Sequence, residues 1–392
     1  MLNLDFAVAF NAGRDQEFFA ALPPLPAVCL IEPKENSAEP MFIRTQDLRR
    51  RMERMLGEPE LASKRLNLRE FAKGVRYRLT ASTFEQTLAY YHIAKQLFPE
   101  RYVDMLRIRR PAVLKINLRN SYPRCFSTRR ISIDSNGQPA GGIYYGPFPS
   151  RKAADAFAER VLDLFKVRRC QIKILRDPSY PGCIYSEMKM CLAPCFAGCT
   201  KQEYDAEVGR LTAFLQTNGE SLRESLESER DSASGETDFE KAALLHKKLE
   251  KLDDALRGQP ELPRQLQELN AVIFQRALTE HSIAVYEVQG GRIAEPFEIS
   301  FGTLAGEPRS AEQFLRDKIE NSAVPPPSDL SENLWLLGRW FYSNPRQGEI
   351  FFRGNAWPYR RMMRACARLL APPAAASEPD GASEKTDGEK SS

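Results

Sequence analysis

The chain has 392 residues, of which 42% are hydrophobic, so it is long enough for two or three domains with sizeable cores. The net charge is only +4, but residues 44–130 carry 21 Lys and Arg against 8 Asp and Glu, which indicates either a polyanion-binding region or a solvated basic surface. No apolar run approaches the roughly 20 residues of a membrane span, and the N-terminus lacks the basic start of a signal peptide, so we expect a cytoplasmic protein without a membrane partner.

The first 130 residues alternate between strand-like and helical patterns. Short apolar runs predict strands, and apolar residues at helical spacing predict helices. The predicted strands cover residues 27–31, 41–43, 112–118 and 124–134. The predicted helices cover residues 47–56 and 84–98, and Pro99 ends the second. This order of elements predicts an α/β fold for the first part of the chain.

The stretch GIYYG at residues 142–146 reads as a compressed GIY-YIG, the signature of a family of DNA-cutting nucleases. Those nucleases place the two halves of the motif on separate strands, so that both tyrosines face one pocket. Here Tyr144 and Tyr145 are consecutive, and consecutive side chains of a strand point to opposite faces. We therefore expect that GIYYG builds no catalytic pocket. Ser150 then begins a predicted helix as its N-cap.

Residues 166–200 are rich in Cys, Pro and Gly and show little periodicity. Cys170, Cys183, Cys191 and Cys195 give the spacing C-x12-C-x7-C-x3-C, with Cys199 four residues further on. Four thiols in an irregular segment predict a metal site, because thiolates suit zinc and iron–sulfur clusters. The spacing does not separate these two metals, and buried free cysteines or disulfides are the alternatives. We expect the isolated cysteines in the core: Cys29, Cys125 and Cys366.

Residues 201–256 have a helical and acidic pattern, with a turn predicted at SASGE, residues 232–236. The second helix carries apolar residues that step by three and four positions, which is an a/d seam of about two and a half heptads. Its predicted seam consists of Phe239, Ala242, Leu245, Leu249, Leu252 and Leu256, of which the first five are the predicted partner contacts. A lone helical hairpin buries little area, so this stripe needs a partner protein or packing against its own chain.

The last part of the chain returns to mixed patterns. Residues 266–301 predict strands with a turn at Gly290-Gly291, and residues 332–370 predict helix–strand–helix. The composition of residues 372–392 predicts a disordered tail. The three histidines are scattered, and we expect none of them to be catalytic: His92, His246 and His281.

Two long stretches resemble the UvrC excinuclease family. The run RRISIDSNGQPAGGIYYGPFPSRKAADAFAERVLDLFKVRRC, residues 129–170, followed by PGCIYSEMKMCLAPC, is similar to the YFGPFPS and "FPVRxC…RPCLxYxxxxCxxPC" segments of that family. SGETDFEKAALLHKKLEKLDDAL, residues 234–256, resembles its UVR hairpin. The resemblance runs from about residue 20 to 370 and is sharpest over residues 122–256.

The resemblance implies roles for these segments. All four family cysteines have counterparts here, which favours a [4Fe-4S] cluster over Zn²⁺ at Cys170, Cys183, Cys191 and Cys195. The UVR hairpin implies docking on a UvrB-type subunit through its apolar seam. The implied order is a degenerate GIY-YIG domain over 20–105, an α/β extension with the YGPF motif over 106–165, the Cys-rich segment over 166–200, a helical region over 201–258 with the UVR domain at 220–255, an α+β connecting region over 265–370, and the tail.

The family's nuclease motif should lie upstream of GIYYG. The family pattern "LPxxPGVY…YVGKAKDLKKR" falls on LPPLPAVC and MFIRTQDLRRR, where Cys29 and Met41 stand near the places of the two tyrosines. Arg51 matches the catalytic arginine and Arg44 replaces a lysine. The metal-binding Glu falls around residues 89–91, where no carboxylate stands, and Glu85 is about one turn early. The RNase H-like nuclease of the family has no counterpart after residue 370, which implies a truncated member.

Three functions remain open from the sequence. The first is a UvrC-like repair protein that binds damaged double-stranded DNA and a UvrB-type partner with its nuclease lost or impaired. Its predicted DNA contacts are Arg44, Arg49, Arg50, Arg109, Arg110, Arg129 and Arg130. The second is an active excinuclease with a rebuilt Mg²⁺ site, in which Arg51, Glu85 and Tyr77 or Tyr91 converge. The third is an RNA-binding or redox-responsive iron–sulfur protein.

Overall fold

The structure is a computed structural model that describes residues 3–59, 66–304, 310–323, 325 and 330–371. The tail predicted over residues 372–392 lies outside the described residues. In the described part, no helix is both long enough and apolar enough to cross a membrane.

The first sheet is antiparallel, with strand order β1-β4-β2-β3. Its strands are β1 (Phe6–Ala9), β2 (Ala27–Pro33), β3 (Met41–Thr45) and β4 (Ala72–Leu79). Its helices are α1 (Asp15–Ala21), α2 (Leu48–Leu56) and α3 (Thr83–Leu97). The Asp47 carboxylate caps α2 by accepting from the backbone N–H of Arg50 at 2.9 Å. The sequence predictions of β2, β3, α2 and α3 are confirmed.

The second sheet contains GIYYG in its interior and has the order β6-β5-β7-β8. Its strands are β5 (Ala112–Ile116), β6 (Cys125–Thr128), β7 (Ile143–Phe148) and β8 (Arg264–Gln265). Helix α4 (Tyr102–Leu106) precedes it and α5 (Arg151–Leu162) follows β7. The strand predicted over 124–134 is wrong beyond Thr128, because the Asp134 carboxylate accepts from the backbone N–H groups of Asn136 and Gln138 and closes a turn.

A helical region joins the second sheet to the third. It comprises α6 (Ile184–Glu187), α7 (Lys201–Gln216), α8 (Glu220–Gly235) and α9 (Phe239–Leu256). Helices α8 and α9 form the predicted hairpin, but the turn predicted at residues 232–236 is misplaced. Helix α8 continues to Gly235, and the Asp238 carboxylate caps α9 by accepting from the backbone N–H of Lys241. The turn therefore lies at residues 236–238.

The third sheet has the order β11-β10-β9-β13, with β12 also paired to β10. Its strands are β9 (Ala271–Arg276), β10 (Ser282–Gln289), β11 (Arg292–Ile293), β12 (Phe297–Ser300) and β13 (Glu349–Phe352). The remaining helices are α10 (Phe301–Leu304), α11 (Ala311–Glu320), α12 (Leu330–Phe341) and α13 (Tyr359–Leu370). The Gly290-Gly291 turn is confirmed, and both glycines adopt positive φ.

Helices α3 and α12 lie at the centre of the molecule. One hydrophobic cluster joins α3 and α12 to residues of all three sheets. The Phe84 ring of α3 lies 5.0 Å from the Tyr286 ring of β10 and 5.4 Å from the Trp340 ring of α12. Separate clusters cover the far faces of the sheets, with α1 and α2 on the first, α5 and α7–α9 on the second, and α11 and α13 on the third. The central pair of helices therefore fixes the three sheets relative to one another.

Candidate nucleic-acid interface

Arg51, the match to the family's catalytic arginine, lies on α2 over the first sheet. Burial raises the pKa of the Cys29 thiol to about 12, and the nearby Arg51 guanidinium opposes this shift only in part. Tyr77 is the register partner of Cys29 on β4. Beside them lies a cavity of about 360 Å³, the α2 cavity, lined by Arg51, Arg54, Met55 and Leu66. No carboxylate is among the described residues that line it.

Glu85 and Tyr91 belong to α3 on the opposite face of the first sheet. Glu85 accepts from the backbone N–H of Ala81 at 2.8 Å and lies 3.9 Å from the Arg78 guanidinium. The Tyr91 hydroxyl donates to Glu332 of α12. Cys29 and Tyr77 pack in the cluster under α2, whereas α3 packs in the central cluster. The convergence of Arg51, Glu85 and Tyr91 required for a rebuilt site is therefore not observed.

The prediction that Tyr144 and Tyr145 point to opposite faces of a strand is confirmed. Tyr144 belongs to the central cluster and Tyr145 to the cluster under α5, so the two rings point to opposite faces of β7. Both side chains are almost fully buried. The Tyr145 hydroxyl accepts from Gln259 and donates to Asn218, and Tyr144 bonds backbone groups of the loop before β7. Both tyrosines support the fold.

The seven predicted DNA contacts have different surroundings. Arg49 donates to the backbone carbonyls of Leu22 and Ala20 and so holds the end of α1. Arg50 and Arg130 are exposed. Arg44 lies with its guanidinium 5.8 Å from the Tyr90 ring centroid. The other three residues, Arg109, Arg110 and Arg129, line a common cavity.

This second cavity, the α5 cavity, has a volume of about 330 Å³ and lies where β7, α5 and α12 meet. Its walls come from residues 109–112, 147–150 and 334–342 together with Arg129. Arg339 of α12 is its fourth arginine, and its guanidinium lies 5.4 Å from the Trp335 ring centroid. The sequence patterns did not indicate Arg339, because its partners are distant in the chain. The only local signal was that Arg339 directly precedes three aromatic residues in GRWFY.

The four cysteines Cys170, Cys183, Cys191 and Cys195 are neighbours in space. Burial raises the pKa of Cys191 to about 11, and the other three thiols raise it further through their charge. The backbone N–H of Ala193 donates to the Cys191 sulfur at 3.3 Å. Within the described residues, however, no group of three or more His, Cys, Asp or Glu side chains has the geometry to hold a metal. The donor chemistry of the four thiols fits a soft metal.

Arg168 lies directly beside this segment and is buried. Its guanidinium donates to the carbonyls of Tyr122, Cys170 and Ile172, and one of its nitrogens lies 3.9 Å from the Cys170 sulfur. Arg168 therefore ties the start of the Cys-rich segment to the loop that contains Tyr122. The three isolated cysteines are buried in the cores, as predicted: Cys29, Cys125 and Cys366.

The hairpin seam is split between the interior and the surface. Leu245, Leu249 and Leu252 are buried in the chain's own cluster under α5, and Ala242 packs against it. Phe239 is 70% exposed at the start of α9. Leu244, outside the predicted seam, is 56% exposed. In this conformation only the tip of the hairpin presents apolar side chains to a partner.

Comparisons with known proteins identify relatives of the chain. Residues 112–214 match the family model of the UvrC/Cho excinuclease, middle domain. UvrABC system protein C of Clostridium tetani is 24% identical over 333 residues, which cover 81% of this chain and 51% of that protein. The protein of the same name from Acetivibrio thermocellus is 23% identical over 356 residues, with coverages of 85% and 55%. That of Ruminiclostridium cellulolyticum is 29% identical over 181 residues, with coverages of 46% and 28%.

The chain thus spans between 28% and 55% of the length of these three relatives. No solved structure matches it significantly. The chain is thus similar to UvrC proteins in its middle-domain match and in alignments across most of its length.

Proposed function

We propose that the protein acts in nucleotide excision repair as a DNA-binding partner of a UvrB-type subunit, and that it does not cut DNA at the α2 face. The observation that carries the second part is the placement of the candidate catalytic groups. The first sheet separates Arg51 and Tyr77 from Glu85 and Tyr91. Similarity to the UvrC/Cho middle domain and to UvrABC system protein C supports the first part.

The chemistry of phosphodiester hydrolysis explains why this separation matters. The reaction needs an activated water and a metal ion that stabilises the developing charge. Magnesium requires oxygen ligands, usually including a carboxylate, and none lines the α2 cavity among the described residues. The Cys29 thiol is fully buried, and its raised pKa keeps it neutral. Arg51 can hold a phosphate, but it cannot complete the reaction alone.

An incision assay tests this proposal. A lesion-bearing duplex is incubated with UvrA, UvrB, ATP and Mg²⁺, with and without the protein. We expect no cut that depends on the protein, although the protein is retained on the UvrB–DNA complex. A cut that the wild type makes and Arg51→Gln does not would overturn the proposal in favour of an active excinuclease. Absence of both cutting and retention would remove the repair function altogether.

DNA contact is assigned to the exposed arginines of the basic region. Phosphate contacts by arginine are independent of sequence and weaken as salt rises. The proposed contacts are Arg44, Arg49, Arg50, Arg109, Arg110, Arg129 and Arg130, of which Arg49 already donates to backbone carbonyls. Titration of a labelled DNA duplex at several salt concentrations should give an affinity that falls steeply with salt. Preference for single-stranded RNA of equal length would favour the RNA-binding alternative.

Docking of the UvrB-type partner is assigned to the exposed tip of the hairpin. Phe239→Ala is expected to abolish retention on immobilised UvrB, because Phe239 is the aromatic side chain of the seam and is exposed. Leu278→Ala is the matched control, since Leu278 is an exposed apolar residue outside the hairpin. Equal retention of both variants contradicts the assignment. Leu245→Ala tests folding instead, because Leu245 is buried.

We further propose that Cys170, Cys183, Cys191 and Cys195 hold a structural [4Fe-4S] cluster or Zn²⁺. The mutual proximity of the thiols and the N–H donor to Cys191 support this assignment. Metal analysis and visible absorbance of anaerobically purified protein distinguish the two metals. Cys191→Ser should lose the metal and Cys125→Ser, in a hydrophobic core, should keep it. Fully folded wild-type protein without metal contradicts the proposal.

A further inference from the structure

The α5 cavity concentrates positive charge that has no counter-charge in its walls. Four arginines line it, and the described residues of its lining include no acidic side chain. The structure gives no ion pair between a described residue and Arg109, Arg110, Arg129 or Arg339. Ordinary surface arginines of this protein are often paired, as Arg101 is with Glu39 at 2.6 Å. The cavity is therefore a site at which an anion would relieve repulsion between cations.

The helix that carries Arg339 is held against the second sheet. Arg339 follows Gly338 on α12, and the nearby Tyr342 hydroxyl donates to the Pro147 carbonyl at 2.9 Å. Burial lowers the pKa of Arg339, and the neighbouring Arg44 guanidinium lowers it further. Arg44 therefore adds a fifth cation beside the four.

The first turn of α5 adjoins the same cavity. Ser150 lines it and caps this helix of 12 residues by accepting from the backbone N–H of Ala153. A helix N-terminus leaves N–H groups without helical partners and carries a partial positive charge. Phosphate groups bind such termini. The N-terminus of α5 therefore adds to the attraction that the four arginines exert on an anion.

We propose that the α5 cavity binds a backbone phosphate of the DNA strand. The inference rests on the proposed DNA-binding function and names a site for it. The cavity is too small for a folded partner but accommodates one phosphate group with part of a sugar. Trp335 and Tyr342 in its walls supply apolar surface for the sugar. Arg109, Arg110 and Arg129 come from the basic region, while Arg339 comes from the far end of the chain.

The test is a salt titration of the affinity for a labelled DNA duplex. Each phosphate contact contributes about −0.9 to the slope of log K against log salt, so Arg339→Gln should reduce the slope by about 1. The double variant Arg129→Gln/Arg339→Gln should also reduce it by about 1, because the cavity takes one phosphate, and should lower the affinity further. Arg346→Gln is the matched control, because Arg346 is exposed, stacks on Trp340 and Phe341, and does not line the cavity.

The outcomes separate this site from the function on which it rests. A wild type without salt-dependent affinity contradicts DNA binding itself. If the wild type binds the duplex, and Arg339→Gln and Arg129→Gln bind it with the same affinity and salt slope, only the α5 site is overturned. If Arg339→Gln loses the binding of inorganic pyrophosphate but binds the duplex like the wild type, the cavity is a site for a small phosphorylated ligand. That result overturns the assignment to DNA. If Arg339→Gln does not fold, Arg109→Gln/Arg110→Gln provides the same readout from exposed side chains.

Discussion

The α2 cavity and the α5 cavity have similar volumes, about 360 and 330 Å³, and arginine lines both. They differ in how they are assembled. The α2 cavity is lined by one helix and the adjoining Leu66, whereas the α5 cavity needs four separate stretches of the chain. The family resemblance points to the first, and the concentration of charge points to the second. A position matched by motif thus need not be the position where the fold gathers chemistry.

The largest expected difference between the two cavities is in folding stability. Leu334 of the α5 cavity is fully buried, whereas Leu66 of the α2 cavity is 59% exposed. Leu334→Ala should lower the free energy of unfolding by about 2–5 kcal/mol, because it opens a void in the central cluster. Leu66→Ala should change it by less than about 0.5 kcal/mol. Urea denaturation of both variants measures these changes in the free energy of unfolding. Equal changes would contradict the difference in packing between the two cavity walls.

The polar network around Glu332 tests how firmly α12, and with it Arg339, is held. The Glu332 carboxylate accepts from Tyr91 and, at 3.1 Å and 2.7 Å, from Lys95 and Tyr102. Glu332→Ala removes the shared acceptor and should cost about 1–3 kcal/mol, discounted for the partial exposure of Lys95. Glu312→Ala, which breaks only an exposed pair with Arg316, should cost less than about 1 kcal/mol. Similar unfolding midpoints for the two variants would contradict a fixed α12.

Acid should destabilise the fold through His92 of the central helix α3. Burial lowers the pKa of His92 on α3 to about 4, with Lys95 acting in the same direction and Glu295 opposing it. The unfolded chain therefore binds the extra proton between about pH 6.5 and 4, so stability falls as pH falls through that window. His92→Gln should remove about 1–2 kcal/mol of this loss.

Denaturation at about pH 7 and pH 4.5 measures the His92 effect. His246→Gln is the control, since His246 is exposed on α9. An unchanged acid loss in His92→Gln would show that carboxylates, and not this histidine, set the pH dependence.

Local patterns predicted most of the elements on which the two cavities rest. Apolar spacing predicted α2 and α3, Ser150 was correctly placed as an N-cap, and strand alternation predicted the opposite placement of Tyr144 and Tyr145. These features depend on residues within a few positions of one another. The end of β6 was missed because a side-chain turn at Asp134 replaced strand pairing.

Long-range placement could not be predicted from these patterns. The seam residues Leu245 and Leu249 have the spacing of a docking stripe, but the spacing does not show whether a partner or α5 covers them. Arg109 and Arg339 lie far apart in the sequence, and only the packing of α12 against β7 brings them to one cavity. Tertiary packing, which no local window contains, determines these features.

The sharing of α3 between sheets makes the molecule hard to divide. A fragment that ends before the second sheet would expose Phe84, Leu88 and other side chains that now pack inside the central cluster. Such a fragment would aggregate when produced alone. The remainder of the chain would expose the matching surface of β10 and α12. Two pieces produced together should therefore recombine, which makes the loop between α4 and β5 a natural place for a split-protein reporter.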